Sequence, residues 1–292
     1  MKTFYHAADL DGQASAAIVK HRYPETELIG MNYGDPFPWE TIQLGEDVWM
    51  VDFHLQPFGD MVRLSHLCCL TWIDHHKSAI EEANKFSFIA SGDQRLSVDY
   101  AACEMTWKEC FRSDEEPPFP PLPSQEFYPP LPMSVFYLGR YDIWKHAEHP
   151  GALQFQYGMR FQEDTNPDNQ TFWEKILHDF DIKEIMELGK IILTYEERQN
   201  AKYCSACAFE VELDGLRCIA INRGLTGSLS FKSVYDPAKH DAMLSFVMRK
   251  RGQWTVSIYA DKAEVDASAI CKARGGGGHR GASGFTCETL PF

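Results

Sequence analysis

Short apolar runs separated by polar turns dominate the first third of the chain. Residues 2–6, 28–33, 48–53 and 67–73 have strand length and are bounded by turn-forming or charged residues. Between them, the small residues at 14–19 and the pattern at 58–64 suit helices. Strands alternating with crossover helices predict a mostly parallel sheet covered on both faces. Ligands on such sheets bind beyond the carboxyl ends of the strands.

Helical patterning returns at 98–111 and, beyond the stretch at 133–144, over 172–198, with a long run at 182–195. The run EEPPFPPLPSQEFYPPLP interrupts it, and its prolines exclude a regular helix or central strand. From about residue 203 the pattern changes to strands at 207–213, 216–221, 244–248 and 254–259, then a short helix at 267–273 and a glycine-rich turn. The expected fold class is therefore α/β: a mostly parallel sheet catalytic domain with a smaller C-terminal α+β substrate-binding domain. The boundaries read as 1–185, a linker helix region at 186–202, and 203–292, with a ligand enclosed in a cleft between the two.

The 292 residues leave room for two hydrophobic cores. The start, MKTFYHAADLDG, becomes polar too soon for a secretory signal, and no run approaches the roughly 18 apolar residues of a membrane span. The expectation is a cytoplasmic protein with no membrane partner. Nine scattered cysteines, an odd number, read as reduced thiols; Cys204 and Cys207 form a CxxC with no second pair at zinc-ribbon spacing. A net charge of −14 argues against a stable duplex-DNA partner, which needs rows of phosphate contacts, but leaves a small phosphorylated substrate open.

The candidate chemistry gathers at the predicted strand ends. His6, Asp9 and Asp11 follow the first strand in YHAADLDG, where Gly12 permits a close turn at the helix entrance. Asp52 ends the run VWMV, and TWIDHHKSA ends another strand in Asp74, His75 and His76. Taken singly, each acid could be a helix cap or half of an ion pair. Their recurrence at one end of successive strands points instead to a shared cation site, since clustered buried carboxylates need partners. Asp142, in GRYDIW, is the weakest of the set by position alone. Arg140 beside it is a candidate phosphate contact.

With these residues in hand, the chain resembles the DHH/DHHA1 phosphoesterase superfamily, including its oligoribonuclease and linear-dinucleotide phosphodiesterase members. HAADLDG looks like the first motif, VDF the second, IDHH the third, and the Asp of GRYDIW the fourth. The resemblance implies two divalent cations, one held by His6, Asp9 and Asp52 and the other by Asp11, Asp52, His75 and Asp142, with Asp52 shared. His76 would lie beside the substrate phosphate, and Asp74 would organise the site. Mixed carboxylate and imidazole donors suit Mn2+, with Mg2+ or Co2+ able to occupy the same site.

ARGGGGHRGASGF resembles the DHHA1-type substrate-binding motif. It implies that Gly276, Gly277, Gly278, His279 and Arg280 hold the substrate away from the scissile bond, with the glycine backbone as an anion-binding nest. Arg223, Ser228 and Arg249 are further candidates. The expected activity is hydrolysis of short RNA or a linear dinucleotide such as pGpG to nucleoside 5′-monophosphates. Cyclic dinucleotides, an adenosine 3′,5′-bisphosphate, and a non-catalytic nucleotide sensor remain as alternatives, and homodimer formation is left open.

Overall fold

The computed structural model describes residues 1–86, 94–112, 130–250 and 252–292. Of the proline-rich run at 115–132, only 130–132 fall among them. The chain divides into two compact units, Met1–Ile192 and Leu193–Phe292.

In the first unit, strand β1 (Lys2–His6) leads into helix α1 (Leu10–Arg22), followed by β2 (Glu27–Met31), β3 (Asp47–Val51), α2 (Gly59–Leu67), β4 (Cys69–Asp74), α3 (Lys77–Lys85) and β5 (Gln94–Leu96). The five strands form one sheet in the order β2-β1-β3-β4-β5, and every pairing is parallel. Helices α4 (Ala102–Phe111), α5 (Met133–Asp142), α6 (Pro150–Met159) and α7 (Gln170–Leu177) complete it.

Period-two alternation divides each central strand between two cores. Tyr5, Trp49, Val51 and Ile73 pack on one side with residues of α1, α4, α5 and α6, among them Ile18, Met105, Leu138 and Phe155. Phe4, Val48, Met50, Leu70 and Trp72 pack on the other with Met61 and Leu64 of α2 and Ala79 and Ala83 of α3. A sheet buried on both faces is why its strands read as nearly continuous apolar runs.

The patterned stretch at 172–198 is two helices, not one. It breaks after α7, at Asp179, whose φ of 59° leaves the helical region. The Asp179 carboxylate instead accepts the backbone N–H groups of Met133 and Ser134 at the start of α5, at 2.9 and 3.0 Å. Helix α8 (Ile182–Cys207) then runs through the division between the units. Its last turn takes in Cys207, which the apolar pattern assigned to a strand.

The second unit carries β6 (Phe209–Leu213), β7 (Leu216–Ile221), β8 (Ala242–Met248), β9 (Trp254–Tyr259), α9 (Ala267–Lys272), β10 (Gly277–Gly278) and β11 (Ala282–Cys287). They form a six-stranded sheet, β10-β11-β9-β8-β7-β6, antiparallel except between β7 and β8. Cys218, Ala220, Leu244, Val256 and Ile258 build one core, and Ile219, Ile221, Met243 and Tyr259 build the other. All nine cysteines carry free thiols.

Candidate metal centre

Strand register assembles the first half of the site. Tyr5 pairs with Val51, and Val51 with Ile73, so His6, Asp52 and Asp74 occupy the next row, at the carboxyl ends of β1, β3 and β4. The strand order reverses between β1 and β3, the switch point at which parallel sheets open to receive a ligand. Asp52 has a φ of 54°, a left-handed conformation uncommon for a residue with a Cβ and costing on the order of 1–3 kcal/mol.

Helix α1 supplies Asp9 and Asp11. Asp9 is its N-cap, with Oδ1 accepting the Gly12 N–H at 3.0 Å and Oδ2 lying 2.9 Å from His6 Nδ1. The capping and clustering readings of Asp9 therefore hold together. Gly12 has no room for a side chain, since a Cβ there would meet the His6 carbonyl oxygen at 2.1 Å.

Asp11 is buried, and its two oxygens accept the backbone N–H groups of Ala102 and Cys103 at 2.9 Å each. Helix α4 begins after Ala101, which offers no side-chain cap. A carboxylate from another helix takes that role.

Ligand atoms converge in overlapping groups whose members lie within 4.8 Å of one another: His6, Asp9 and Asp52; Asp11, His75 and Asp142; and Asp52, His75 and His76. Asp52 turns one oxygen to each side, Oδ2 standing 3.8 Å from His6 Nδ1 and Oδ1 standing 3.2 Å from His75 Nε2. His75 Nε2 also lies 3.6 Å from Asp11 Oδ2 and 3.1 Å from Asp142 Oδ2.

The electrostatics call for a cation. Burial, then the neighbouring carboxylates, pushes Asp52 and Asp142 well above the usual carboxylate range. Burial, then His76, lowers His75 and favours its neutral ring. Against burial, the hydrogen bond and charge of His6 draw Asp9 down. His6 Nδ1 and Asp52 Oδ1 are both buried, the first 2.9 Å from Asp9 Oδ2 and the second 3.2 Å from His75 Nε2. Carboxylate and imidazole atoms crowded about a common point suit divalent cations, and the donor set, free of thiolates, fits that group.

His76 and Asp74 stand to one side. Asp74 Oδ1 accepts both the His76 backbone N–H, at 2.9 Å, and its ring Nδ1, at 2.7 Å. Burial disfavours the His76 cation, but the Asp74 charge and hydrogen bond outweigh it and raise His76 to about 9. Against its own burial, Asp74 is drawn well below the carboxylate range by His76 and His54.

The motif reading passed over His54, Tyr33 and Glu104. His54 is buried, 3.5 Å from Asp74 Oδ2, and shares a 2.9 Å hydrogen bond with the Tyr33 hydroxyl. A third imidazole two residues after Asp52 was a signal in the sequence. Tyr33 gave none, because it reaches the site only through the pairing of β2 with β1. Glu104 is buried against Arg140, and burial, opposed by that guanidinium, raises it to about 7.

Arg140 is correspondingly buried, bonded to Glu104 and flanked by the Tyr100 and Phe136 rings at 5.8 and 5.6 Å. This salt bridge is where the structure places the candidate phosphate contact.

In the second unit, Gly276, Gly277, Gly278, His279 and Arg280 lie along one hairpin. Several backbone groups of this hairpin are engaged within the unit. Gly276 N–H donates to Cys271 O at 2.9 Å, closing α9, and His279 N–H donates to Ala282 O at 2.8 Å. Gly277 and Gly278 pair with Gly284 and Ser283. Gly276 is required by close approach, since a Cβ would meet Gly284 O at 2.1 Å. Arg280 donates to Ala263 O.

Arg249 turns between β8 and β9, beside the Met248–Trp254 pair, whereas His279 and Arg280 adjoin Ala282, paired with Tyr259. Five residue steps along β9 separate those ends, roughly 17 Å, so Arg249 stands apart from the hairpin. Arg223 donates to Asn200 Oδ1 at 2.6 Å and stacks over Tyr203, and Ser228 opens a short 3-10 turn.

No family model matches the chain, and no curated protein sequence does. Among solved structures, an exopolyphosphatase-related protein from Bacteroides fragilis is similar at TM-score 0.56 and 11% identity, over 99% of this chain and 87% of that one. A pGpG-specific phosphodiesterase, PggH, from Vibrio cholerae overlaps at TM-score 0.48 and 10% identity, over 98% and 92% of the two chains. An uncharacterized protein from Helicobacter pylori G27 does so at 0.41 and 16%, over 99% and 93%. These last two overlap too loosely to bear on the architecture. The Bacteroides fragilis protein shares the fold, and a five-stranded parallel α/β unit followed by a mixed-sheet unit is the architecture that the DHH/DHHA1 resemblance implies.

Proposed function

We propose that this chain is a dinuclear-metal-dependent phosphodiesterase of the DHH/DHHA1 kind, acting on short oligoribonucleotides or linear dinucleotides such as pGpG and releasing nucleoside 5′-monophosphates. The observation that carries the reading is Asp52, whose two carboxylate oxygens face separate His/Asp groups at the switch point of a parallel sheet.

His6, Asp9 and Asp52 would hold one cation, and Asp11, Asp52, His75 and Asp142 the other. Bound divalent cations would supply water activation and charge neutralisation at phosphorus. Hydrolysis adds water at the bridging phosphorus and breaks its bond to the 3′ oxygen, which leaves as a hydroxyl. Asp74 holds His76 as a cation in a fixed orientation, suited to stabilising the charge that grows on the phosphate oxygens.

The nucleotide part of the reading rests on the GGGGHR resemblance and on the net charge of −14, which disfavours long polyanions. Mn2+ is the metal that the donor set favours. On the same reading, 1–185 is the catalytic part and 203–292 the substrate-binding part.

The test is a substrate panel with added Mn2+: pGpG, RNAs of two to six residues, cyclic dinucleotides, adenosine 3′,5′-bisphosphate and p-nitrophenyl phosphate, each repeated with chelator. GMP release from pGpG, abolished by chelation, is the expected outcome. Turnover of the bisphosphate alone would remove the substrate class, and turnover that survives chelation would remove the metal mechanism.

A further inference from the structure

Tyr33 is a large aromatic at the rim of the metal centre that is both held in place and partly open to solvent. Its ring lies 5.5 Å from His6, 4.8 Å from Phe53 and 6.4 Å from His76, centroid to centroid. Its hydroxyl is turned inward onto His54 Nδ1 at 2.9 Å, yet the residue is 39% exposed. With the hydroxyl so committed, the ring is what the side chain has left to offer a ligand.

The backbone beneath it is also held. Asn32 N–H donates to the Asp35 carboxylate at 2.8 Å, and Asp35 N–H to Asn32 O at 3.0 Å, closing a turn around Tyr33 and Gly34. A centre built for phosphate oxygens alone has no use for an exposed hydrocarbon face beside His6 and His76. An aromatic platform oriented in advance receives a nucleobase with little ordering cost, and base–aromatic stacking tolerates any base because each has a π-face.

Resting on the phosphodiesterase reading, we infer that the Tyr33 ring stacks the nucleobase nearest the scissile phosphate, and so selects nucleotide over purely inorganic phosphate substrates. Tyr33 is then a substrate-contacting residue of the first unit. It makes base recognition partly a property of the catalytic unit instead of the GGGGHR hairpin alone.

The test measures binding by the full chain in Mn2+, with GMP, ribose 5-phosphate and inorganic phosphate as probes, so that no turnover is needed. In the wild type, GMP binds more tightly than ribose 5-phosphate. Tyr33→Leu weakens GMP about tenfold, within the range measured for base–aromatic stacking, and leaves the other two within about twofold. Tyr33→Phe, which keeps the ring and removes the hydroxyl bond to His54, retains GMP affinity.

Equal loss of all three probes in Tyr33→Leu would make the residue a support of the centre and overturn the inference. Loss of GMP and ribose 5-phosphate together would overturn it by placing the contact on the sugar. Unchanged GMP affinity in Tyr33→Leu, or a tenfold loss in Tyr33→Phe, overturns it as well. Because the readout is an affinity ratio, failure of the platform is distinguishable from failure of the activity, which the substrate panel tests separately.

Discussion

Asp74 and His76 form a 2.7 Å ion pair beside the metal centre, and their linkage gives a pH window. His76 in the fold sits at about 9 against an ordinary 6.5, so its contribution to stability is fully present below pH 6.5 and lost as pH rises through about 9. Asp74, drawn well below its ordinary 3.8, contributes above that value and loses its contribution as pH falls through the depressed range. A change from 6.5 to about 9 corresponds to on the order of 3 kcal/mol. In chelator, urea unfolding of wild type between pH 6 and 9.5 should lose on the order of 2–3 kcal/mol that His76→Gln does not lose. Parallel pH profiles for the two proteins would contradict the pairing.

At the scale of elements, the centre depends on how closely α1 approaches β1 and how α4 is capped. Gly12 lets the first turn of α1 lie on the His6 carbonyl, where an added Cβ would sit 2.1 Å from the oxygen. Gly12→Ala must therefore move the helix, carrying Asp9 and Asp11 away from Asp52. Overpacking of this kind costs about 1–3 kcal/mol. The expected outcome is a lower thermal midpoint together with weaker Mn2+ binding, read by calorimetry; a variant that binds Mn2+ as wild type does would show that the helix entrance has slack. Asp11 couples the same helix to α4 through two N–H bonds, so a distorted α1 also uncaps α4.

Over the whole molecule, the acidic balance of −14 includes the crowded carboxylates of the centre, which repel one another when no cation is present. Divalent cation should stabilise the fold by mass action, about 2.7 kcal/mol at a free concentration 100 times Kd. Isothermal titration of the chelated protein should find two Mn2+ per chain. Asp52→Asn, which removes the shared carboxylate, should reduce that uptake to one or none and make the chelated protein more heat-stable, because burial and the neighbouring carboxylates oppose a charge at that position. Undiminished uptake by the variant would refute a shared Asp52. No helix among the described residues is long and apolar enough to cross a membrane.

The parallel sheet was legible in the sequence because its central strands, buried on both faces, are short apolar runs, and each core-bound run ends in an acid or imidazole. That periodicity placed His6, Asp52, Asp74 and His75 at strand ends before any contact was known. It could not place β5, too short to show a period, or see that 172–198 is broken by an aspartate capping α5. Nor could local sequence reveal that Asp11 caps α4, that Arg140 is held by Glu104, that the glycines of GGGGHR close a helix and edge a sheet, or that Tyr33 stands beside His76. Those facts depend on which distant segments pair and pack. Strand periodicity and end-of-strand chemistry are local and survive in one dimension; the partner of each polar group is decided only when the chain folds back on itself.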